Sequence, residues 1–271
     1  MGKTSILITG SSGFIGSNII KSLKSEDVFF TYRSTDGSFK IKCNNNKKIE
    51  DFDDIVVLHL ATYFSKKNDD EKLIYEGNIA FGQKLLEKIE GFKIKKIIYT
   101  NTMFNFYKND EIRDLFYTKT KNEFSKLLLD FSDSKKIKYE EIFLDNTFGM
   151  FDKRKKIIPL IFESIYKNNE NPIQNPNSFI NTIYVEDVAQ RLKISLFSED
   201  VGKSCFIENK QVNILSIYEF LNEYYKSKVI NSEKLIYQSN DYINPYPPID
   251  YKNITRSNFG QALVGCFDES Y

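Results

Sequence analysis

The stretch ILITGSSGFIGSNI (residues 6–19) is an apolar strand pattern that runs into three glycines and then into a pattern with helical spacing. Gly10 permits a tight turn, Gly13 lets a pyrophosphate approach the backbone, and Gly16 lets the helix pack closely on the sheet. The N-terminus of such a helix offers N–H groups and the positive end of a dipole to phosphate. The stretch therefore predicts a dinucleotide-binding loop at the start of an α/β fold.

Strand and helix patterns continue to alternate after this loop. The helical patterns include residues 70–90 and a segment that begins near residue 115. The strand patterns are residues 5–10, 27–33, 54–62, 94–102 and 138–149. Near-continuous apolar strands between amphipathic helices predict a parallel sheet that is covered on both faces. The predicted fold class is therefore α/β, with a Rossmann-type doubly wound parallel sheet.

The pattern changes after Gly149, which predicts a second, smaller lobe. We assign residues 1–150 to an NAD(P)-binding Rossmann domain, to which residues 180–197 return as a short strand and helix. Residues 151–179 and 198–271 are assigned to a C-terminal substrate-binding lobe. Its tail has weak periodicity, and no final amphipathic helix is predicted there.

Composition excludes several classes of function. The 271 residues include 38 Lys and Arg against 37 Asp and Glu, and this balance argues against a dedicated nucleic-acid binder. Cys43, Cys205 and Cys266 suit a reducing compartment and form neither a disulfide framework nor a zinc site. No apolar stretch has membrane-spanning length, and residues 1–20 do not read as a signal peptide. We expect a cytoplasmic protein with no metal, membrane or nucleic-acid partner.

The single histidine limits the chemistry further. Hydrolase triads with a His base and His-rich metal sites would all depend on His59. His59 lies in DIVVLHLAT (residues 54–62), whose apolar run predicts a buried strand, so we predict a core or strand-end histidine.

The end of the second strand bears on the choice of cofactor. An acidic residue at that place would bind the ribose 2′-hydroxyl of NAD, but this chain has Arg33 followed by Ser34. A guanidinium beside a hydroxyl suits a 2′-phosphate. We predict NADPH, with NAD(H) as the alternative.

The segment LFYTKTKNEF (residues 115–124) places Tyr117 one helical turn before Lys121. Taken alone, this spacing fits either a catalytic pair or an amphipathic helix in a Lys-rich chain.

Several ordered motifs decide between these two interpretations. They are TGSSGFIG (9–16), LHLAT (58–62), GNIAFGQKLLE (77–87), YTNT (99–102), YTKTK (117–121), NTFG (146–149) and IYVEDVA (183–189). In this order they resemble the extended short-chain dehydrogenase/reductase family, also called the NAD-dependent epimerase/dehydratase family. LHLAT matches the family's fourth-strand motif. The layout around residues 97–128 is most similar to that of nucleotide-sugar 4-ketoreductases of the CDP-abequose and CDP-paratose synthase type.

The resemblance implies a set of site residues. Thr102, Tyr117 and Lys121 would be catalytic. The implied cofactor-binding residues are Gly10, Ser12, Gly13, Phe14, Ile15, Gly16, Arg33, Ser34, Leu60, Ala61, Thr62, Asn78, Thr100, Tyr117 and Lys121. Thr102 and Asn146 would contact the substrate. The basic run DKRKK (152–156) is either a solvated loop or a diphosphate-binding segment, and in the second case Lys156 is the best candidate.

The implied reaction is the reduction of a 4-keto-deoxysugar nucleotide by NADPH during O-antigen sugar synthesis. Tyr117 would give the proton, and Lys121 would lower the pKa of the phenol. Dehydratases of the family follow the Thr with an acidic pair, whereas Thr102 precedes Met103 and Phe104. An NAD-dependent 4-epimerase and a non-catalytic dinucleotide-binding protein are the alternatives.

Two departures from the family pattern concern the nucleotide. Relatives often carry Arg where this chain has Ile180, and the family's final amphipathic helix is not predicted in the tail. The family also implies a homodimer, in which the helices at residues 70–90 and after residue 115 pack against the same helices of the second protomer. The leucines and isoleucine available for this contact are Leu73, Ile74, Leu85, Leu86, Leu127 and Leu128.

Overall fold

The structure is a computed structural model of the chain. It describes residues 5–23, 27–33, 39–43, 46–65, 70–150, 152–208, 210–240 and 256–270, with only the backbone at residues 32, 33, 39 and 270. These residues form two compact units. The first contains residues 5–144 and 189–205, and the second contains residues 145–188, 206–240 and 256–270.

A seven-stranded sheet organises the first unit. In spatial order its strands are β10 (Gly202–Phe206), β6 (Lys138–Leu144), β5 (Ile94–Thr102), β4 (Ile55–His59), β1 (Ser5–Thr9), β2 (Asp27–Arg33) and β3 (Phe39–Cys43). The pairs β2–β1, β1–β4, β4–β5 and β5–β6 are parallel. The carboxyl ends of these strands therefore meet at one edge of the sheet, where open α/β sheets bind their ligands.

The edge strand β3 is absent from the sequence prediction. It pairs with β2 in antiparallel fashion, from Phe29 opposite Cys43 to Arg33 opposite Phe39. Its sequence FKIKC alternates apolar and polar residues, which is the pattern of a half-buried antiparallel strand. Because β3 precedes it, the strand of the LHLAT motif is the fourth in the chain, as the family resemblance implies.

Helices cover both faces of this sheet. On one face, α3 (Phe81–Ile89) and α5 (Phe116–Lys135) contribute Leu85, Phe124 and Leu128 to a core shared with the strands. On the other face lie α1 (Phe14–Lys21) and α7 (Val185–Phe197), where Lys96 Nζ on β5 donates to the Ser195 carbonyl of α7 at 2.8 Å. The predicted doubly wound Rossmann fold is confirmed.

The predicted helix over residues 70–90 is interrupted. It consists of α2 (Glu71–Tyr75), a π-helical turn (Glu76–Ala80) and α3. A short helix α4 (Asp110–Arg113) precedes α5, and 3₁₀ turns occupy Ile49–Asp51 and Met103–Phe106. The π-helical turn contains Asn78, and single-turn π-bulges occur frequently at functional sites.

The second unit has its own core. Its helices and strands are β7 (Asn146–Phe148), α6 (Ile157–Tyr166), β8 (Phe179–Ile180), β9 (Thr182–Tyr184), β11 (Lys210–Asn213), α8 (Ile214–Ser227), a 3₁₀ turn (Ser232–Lys234), β12 (Tyr237–Ser239) and α9 (Phe259–Ser270). β7 pairs with β9 in parallel, and β11 lies between β8 and β12. Helix α9 corrects the expectation that the tail lacks a final helix. It forms because Leu263, Cys266 and Phe267 recur at helical spacing and bury one face in this core.

The observed units and the predicted domains divide the chain at slightly different places. Residues 145–150 and 180–188 belong to the second unit, although the prediction assigned them to the first domain. Residues 198–205 belong to the first unit, although the prediction assigned them to the smaller lobe. The functional labels of the two domains stay predictions. Within the described ranges, no helix is both long enough and apolar enough to cross a membrane.

Candidate active site

The glycine loop joins β1 to α1 in a closely packed turn. Gly10 has φ +69°, and a Cβ atom there would lie 2.6 Å from the backbone nitrogen of Ala61. A Cβ atom on Gly16 would lie 2.2 Å from the carbonyl oxygen of Gly10. Only glycine fits at these two positions. Because Ser12 and Gly13 are exposed and Phe14 and Ile15 are partly exposed, the loop can be reached by a ligand.

Thr9, which sequence reasoning did not select, ties this loop to the end of β4. Its Oγ1 accepts hydrogen bonds from the Leu60 and Ala61 amides at 3.2 and 3.1 Å. It also lies 3.0 Å from Nδ1 of His59, a ring that can accept the hydroxyl proton. Thr9 thus positions Leu60 and Ala61, two of the predicted cofactor-binding residues. The signal for this role was the Thr that begins the TGSSGFIG motif.

His59 is buried at the end of β4, as its apolar strand predicts. Burial, aided by the positive charge of Lys121, lowers the pKa of its imidazole to about 3. The ring is therefore neutral at physiological pH.

Asn78 joins the loop after β4 to helix α5. Its Oδ1 accepts from the Thr62 hydroxyl at 2.9 Å and from the Tyr63 amide at 2.7 Å. Its Nδ2 donates to the Tyr63 carbonyl at 3.2 Å and to the Thr120 hydroxyl at 3.0 Å. Thr120 in turn donates to the Tyr117 carbonyl at 2.9 Å. The Asn78 amide thus makes four hydrogen bonds within the protein and fixes Thr62 relative to Tyr117.

Tyr117 lies in the first turn of α5, with its ring edge-on to Phe64 at a centroid distance of 4.9 Å. Burial raises the pKa of its phenol to about 12, and a hydrogen bond with the Thr62 side chain acts in the opposite direction. This finding corrects the expectation that Lys121 lowers the pKa of Tyr117. The cost of burying a phenolate dominates, so Tyr117 is a protonated donor at neutral pH.

Lys121 is buried and directed at β5. Its Nζ donates to the Thr100 carbonyl at 2.6 Å and lies 4.3 Å from the centroid of the Tyr99 ring. Burial lowers the pKa of the ammonium to about 7, and the negative charge of Glu141 opposes that shift. Lys121 is therefore near half protonation at neutral pH.

Thr102 ends β5 at the edge where the carboxyl ends of the parallel strands meet. Its Oγ1 accepts from the Phe104 amide at 3.2 Å, so its own hydroxyl proton can be donated elsewhere. Its backbone amide donates to Oδ1 of Asn101 at 2.7 Å, and its carbonyl accepts from Asn105 at 3.1 Å. The first unit therefore gathers Thr62, Thr100, Thr102, Tyr117 and Lys121 at the ends of β4 and β5 and the start of α5.

Four predicted residues lie elsewhere. Arg33 ends β2, the neighbour of β1, but only its backbone is described, and Ser34 lies outside the described residues. Asn146 and Lys156 belong to the second unit, where Lys156 Nζ donates to the Asn146 side-chain oxygen at 3.3 Å. Arg154 of the same basic run is paired with Asp152 at 2.6 Å. Among the residues that the structure describes, no group of acidic, His and Cys side chains could hold a metal ion.

Comparison with known proteins settles the family. The family model described as the NAD dependent epimerase/dehydratase family matches residues 6–204. The chain belongs to this family.

Individual members of the family are distant in sequence. A CDP-abequose synthase of Salmonella muenchen is 24% identical over 229 residues, covering 76% of this chain and 78% of that protein. Two solved structures share the fold. A UDP-N-acetylglucosamine 4-epimerase of Methanobrevibacter ruminantium M1, in complex with UDP-N-acetylmuramic acid, is 17% identical, covers 99% of this chain and 98% of that one, and has a TM-score of 0.77. A UDP-glucuronic acid 4-epimerase of Bacillus cereus, in complex with NAD, is 17% identical, covers 98% and 96%, and has a TM-score of 0.76.

This epimerase/dehydratase family member also contains buried polar groups that sequence reasoning missed. Besides Thr9, they are Asn101, which binds the Thr102 amide, and Glu141, which binds Asn101 at 2.6 Å. Glu141 lies in the predicted strand KYEEIFLDNTFG, where adjacent glutamates interrupt an apolar run. A charged residue in a strand that is buried on both faces was the available signal.

Proposed function

We propose that the protein reduces the 4-keto group of a nucleotide-linked deoxysugar with NADPH. The observation that carries this proposal is the grouping of Thr102, at the end of β5, with Tyr117 and Lys121 in the first two turns of α5, where the phenol of Tyr117 is protonated at neutral pH. A reductase needs a proton donor at this place. The similarity to a CDP-abequose synthase supports the same substrate class.

The residues of the glycine loop fit a dinucleotide. Gly10 and Gly16 leave no room for a side chain, so a pyrophosphate can approach the backbone at the N-terminus of α1. When bound, NADPH would supply the hydride, which adds to the keto carbon and leaves NADP⁺. Arg33, at the end of β2, and Ser34, which follows it in the sequence, would hold its 2′-phosphate, since a guanidinium favours that group and an acid would repel it.

The reaction site would use three side chains. Thr102 would donate its hydroxyl proton in a hydrogen bond to the substrate carbonyl and orient it. Tyr117 would give its proton to the same oxygen as the carbon–oxygen double bond becomes single, which yields the alcohol. Lys121 would bind the ribose hydroxyls of the cofactor. General acid catalysis of this kind contributes about 10²–10⁴-fold.

Lys156 and Asn146 are proposed to contact the nucleotide-sugar. The 3.3 Å hydrogen bond between them places an ammonium just before α6. Lys156→Ala should raise KM for the sugar nucleotide by about tenfold, because a phosphate would lose one charge-assisted hydrogen bond. Lys155→Ala, which removes an exposed neighbour in the same basic run, is the matched control and should leave KM unchanged.

The decisive experiment compares cofactors and substrates directly. Purified protein is mixed with NADPH or NADH and with 4-keto-6-deoxy sugars linked to CDP, dTDP, GDP or UDP, and the loss of reduced cofactor is followed by absorbance. We expect consumption of NADPH with at least one keto sugar. Tight binding of NADPH without consumption by any of them would overturn the proposal in favour of a non-catalytic dinucleotide-binding protein.

A 4-epimerase is the second candidate, because solved structures with this fold include several nucleotide-sugar 4-epimerases. An epimerase returns its cofactor unchanged. Interconversion of two UDP-hexoses without net oxidation of added cofactor would therefore favour it over the reductase. In an Arg33→Ala variant, a reductase that uses NADPH should lose most of its preference for NADPH over NADH.

We also propose a homodimer. Of the apolar residues available for a helix-to-helix contact, Ile74, Leu85 and Leu128 are buried within the protomer, whereas Leu73 on α2 is 47% exposed. Leu129 on α5 is also exposed. Light scattering should give twice the protomer mass, and Leu73→Glu should lower it. A wild-type monomer would exclude this proposal.

A further inference from the structure

Strand β6 carries two neighbouring carboxylates, Glu140 and Glu141, and the mechanism above uses neither. Glu141 is completely buried on the face that carries α5. Its Oε1 accepts from the Asn101 amide group at 2.6 Å, and its Oε2 accepts from the Ser125 hydroxyl at 2.8 Å. Lys203 on β10 completes the set, with its Nζ 3.1 Å from Oε2. A buried carboxylate with this many partners is held in a defined position.

The amide bound by Glu141 leads directly to Thr102. The Asn101 side chain donates to Glu141 through Nδ2 and accepts the Thr102 backbone N–H through Oδ1, at 2.7 Å. On the other side of Thr102, its carbonyl accepts from Asn105, which is bound by Asn122 of α5 at 2.5 Å. Both backbone polar groups of Thr102 are thus held by side-chain amides.

We propose that Glu141 is a positioning residue for the reaction, because its carboxylate fixes Asn101 and Asn101 fixes the backbone from which Thr102 meets the substrate. This inference rests on the proposed function of Thr102. A hydroxyl that must orient a carbonyl has to be placed within a fraction of an ångström, and a displacement of about 1 Å can cost about 10²-fold in rate.

The same carboxylate acts on Lys121 through space. Its charge raises the pKa of Lys121 against the effect of burial. Among the described residues, the other groups that act on or contact Lys121 are neutral: the Thr100 carbonyl, the Tyr99 ring and the imidazole of His59. Glu141 itself faces Asn101, Ser125, Lys203 and, through the Ser125 hydroxyl at 3.4 Å, Tyr139. Neutralising Glu141 therefore lowers the pKa of Lys121 further.

Three variants separate the two effects of Glu141, which are its hydrogen bond to Asn101 and its negative charge near Lys121. Glu141→Ala removes the hydrogen bond and the charge. Glu141→Gln keeps an oxygen that can accept from Asn101 but removes the charge. Asn101→Ala cuts the link to Thr102 and leaves Glu141 in place, so the test survives if Glu141→Ala does not fold. Glu140→Gln is the matched control, since it neutralises the adjacent buried carboxylate on the opposite face of β6.

Two measurements are made on the full-length protein. The first is amide hydrogen exchange at Thr102, which needs no substrate. The second is the pH profile of kcat for the keto sugar that the wild type reduces. In Asn101→Ala and Glu141→Ala, we expect Thr102 exchange to rise by about tenfold or more and kcat to fall by about tenfold or more at an unchanged KM for NADPH.

Glu141→Gln should restore slow exchange at Thr102 and most of kcat at low pH. As the pH rises, the kcat of Glu141→Gln should decline at a pH about one unit lower than in the wild type, because the lost negative charge lowers the pKa of Lys121. Glu140→Gln should leave the pH profile of kcat unchanged, and any rise in its Thr102 exchange should be no larger than its loss of unfolding free energy explains.

The outcomes that would overturn the inference are specific. Unchanged Thr102 exchange in folded Asn101→Ala and Glu141→Ala would overturn it, as would identical pH profiles for Glu141→Gln and Glu140→Gln. If the wild type reduces no keto sugar, the proposed function fails, and the exchange measurement alone decides whether Glu141 places Thr102.

Discussion

Two adjacent residues on β6 place buried carboxylates in two different environments. Glu140 points to the face of α7, where Lys96 lies 2.6 Å away, Arg191 lies 2.6 Å away and the Ser195 hydroxyl donates at 2.9 Å. Both of these cations are at least 96% buried. Glu141 points to the face of α5, where its one cation, Lys203, is 33% exposed and its other partners are neutral.

The two carboxylates therefore differ in the groups that they hold in place. Around Glu140, two buried cations and one carboxylate form a closed ion-pair cluster that joins β5, β6 and α7. Such clusters are costly to break and act mainly on the stability of the fold. Around Glu141 the hydrogen bonds lead to Asn101 and Thr102, and its charge reaches Lys121. One face of the strand therefore stabilises the fold, and the other supports the candidate active site.

The largest expected effect is on the α5 face. Tyr117→Phe should lower kcat by about 10²–10⁴-fold, because the proton donor is lost, while NADPH binding measured by fluorescence titration stays within a factor of two. Tyr75→Phe, which removes the hydroxyl of an exposed tyrosine, is the control. Equal turnover by Tyr117→Phe and the wild type would remove Tyr117 from the mechanism.

On the α7 face, the expected effect is on stability. Glu140→Gln leaves Lys96 and Arg191 buried without a counter-charge, so the free energy of unfolding should fall by about 3–5 kcal/mol. Urea unfolding measures this loss, and kcat per folded molecule should be unchanged. A variant that keeps wild-type stability but loses activity would reverse the roles of the two faces.

A smaller effect is expected on the pH dependence of stability. It comes from His59, whose ring packs against Phe124 of α5. His59 has a pKa of about 3 in the folded protein and an ordinary value of 6.5, so the unfolded chain binds the extra proton first as the pH falls. Its stabilising contribution is complete above pH 6.5 and is lost progressively towards pH 3, by about 2 kcal/mol at pH 5.

Urea titrations at several pH values test this contribution. A His59→Asn variant should lose stability less steeply between pH 7 and pH 5 than the wild type does. Identical slopes in the two proteins would show that His59 does not titrate in this range.

The smallest effect is on the pH dependence of the rate. If the protonated form of Lys121 is the active one, its pKa of about 7 makes kcat fall above neutral pH, by about tenfold at pH 8. Lys121→Arg keeps its charge and should flatten this limb, even if its kcat is lower. A wild-type rate that is constant from pH 6 to pH 9 would contradict the protonated role of Lys121.

Local patterns were sufficient for the framework of this protein. The turn at Gly10, the strand before it and the helix after it depend on residues within one short segment, and the fold and family predicted from them are confirmed. Features that local patterns failed to predict include β3 and α9, although FKIKC and the spacing of Leu263, Cys266 and Phe267 carried a signal. The predicted helix over residues 70–90 could not reveal its π-helical turn, because that turn places Asn78 against partners in other segments.

The sequence by itself determined the parallel strands β1, β2, β4, β5 and β6, the glycine loop and the spacing that puts Tyr117 and Lys121 on one helical face, since each of these follows from neighbours along the chain. Only the tertiary structure decided the protonation of these residues and the support beneath them. Burial sets the pKa of Tyr117 and Lys121, and the hydrogen bonds Thr9–His59, Asn78–Thr120 and Asn101–Glu141 join residues 40 to 50 positions apart. Such contacts depend on how strands and helices pack together, and no periodicity in a single segment encodes that packing.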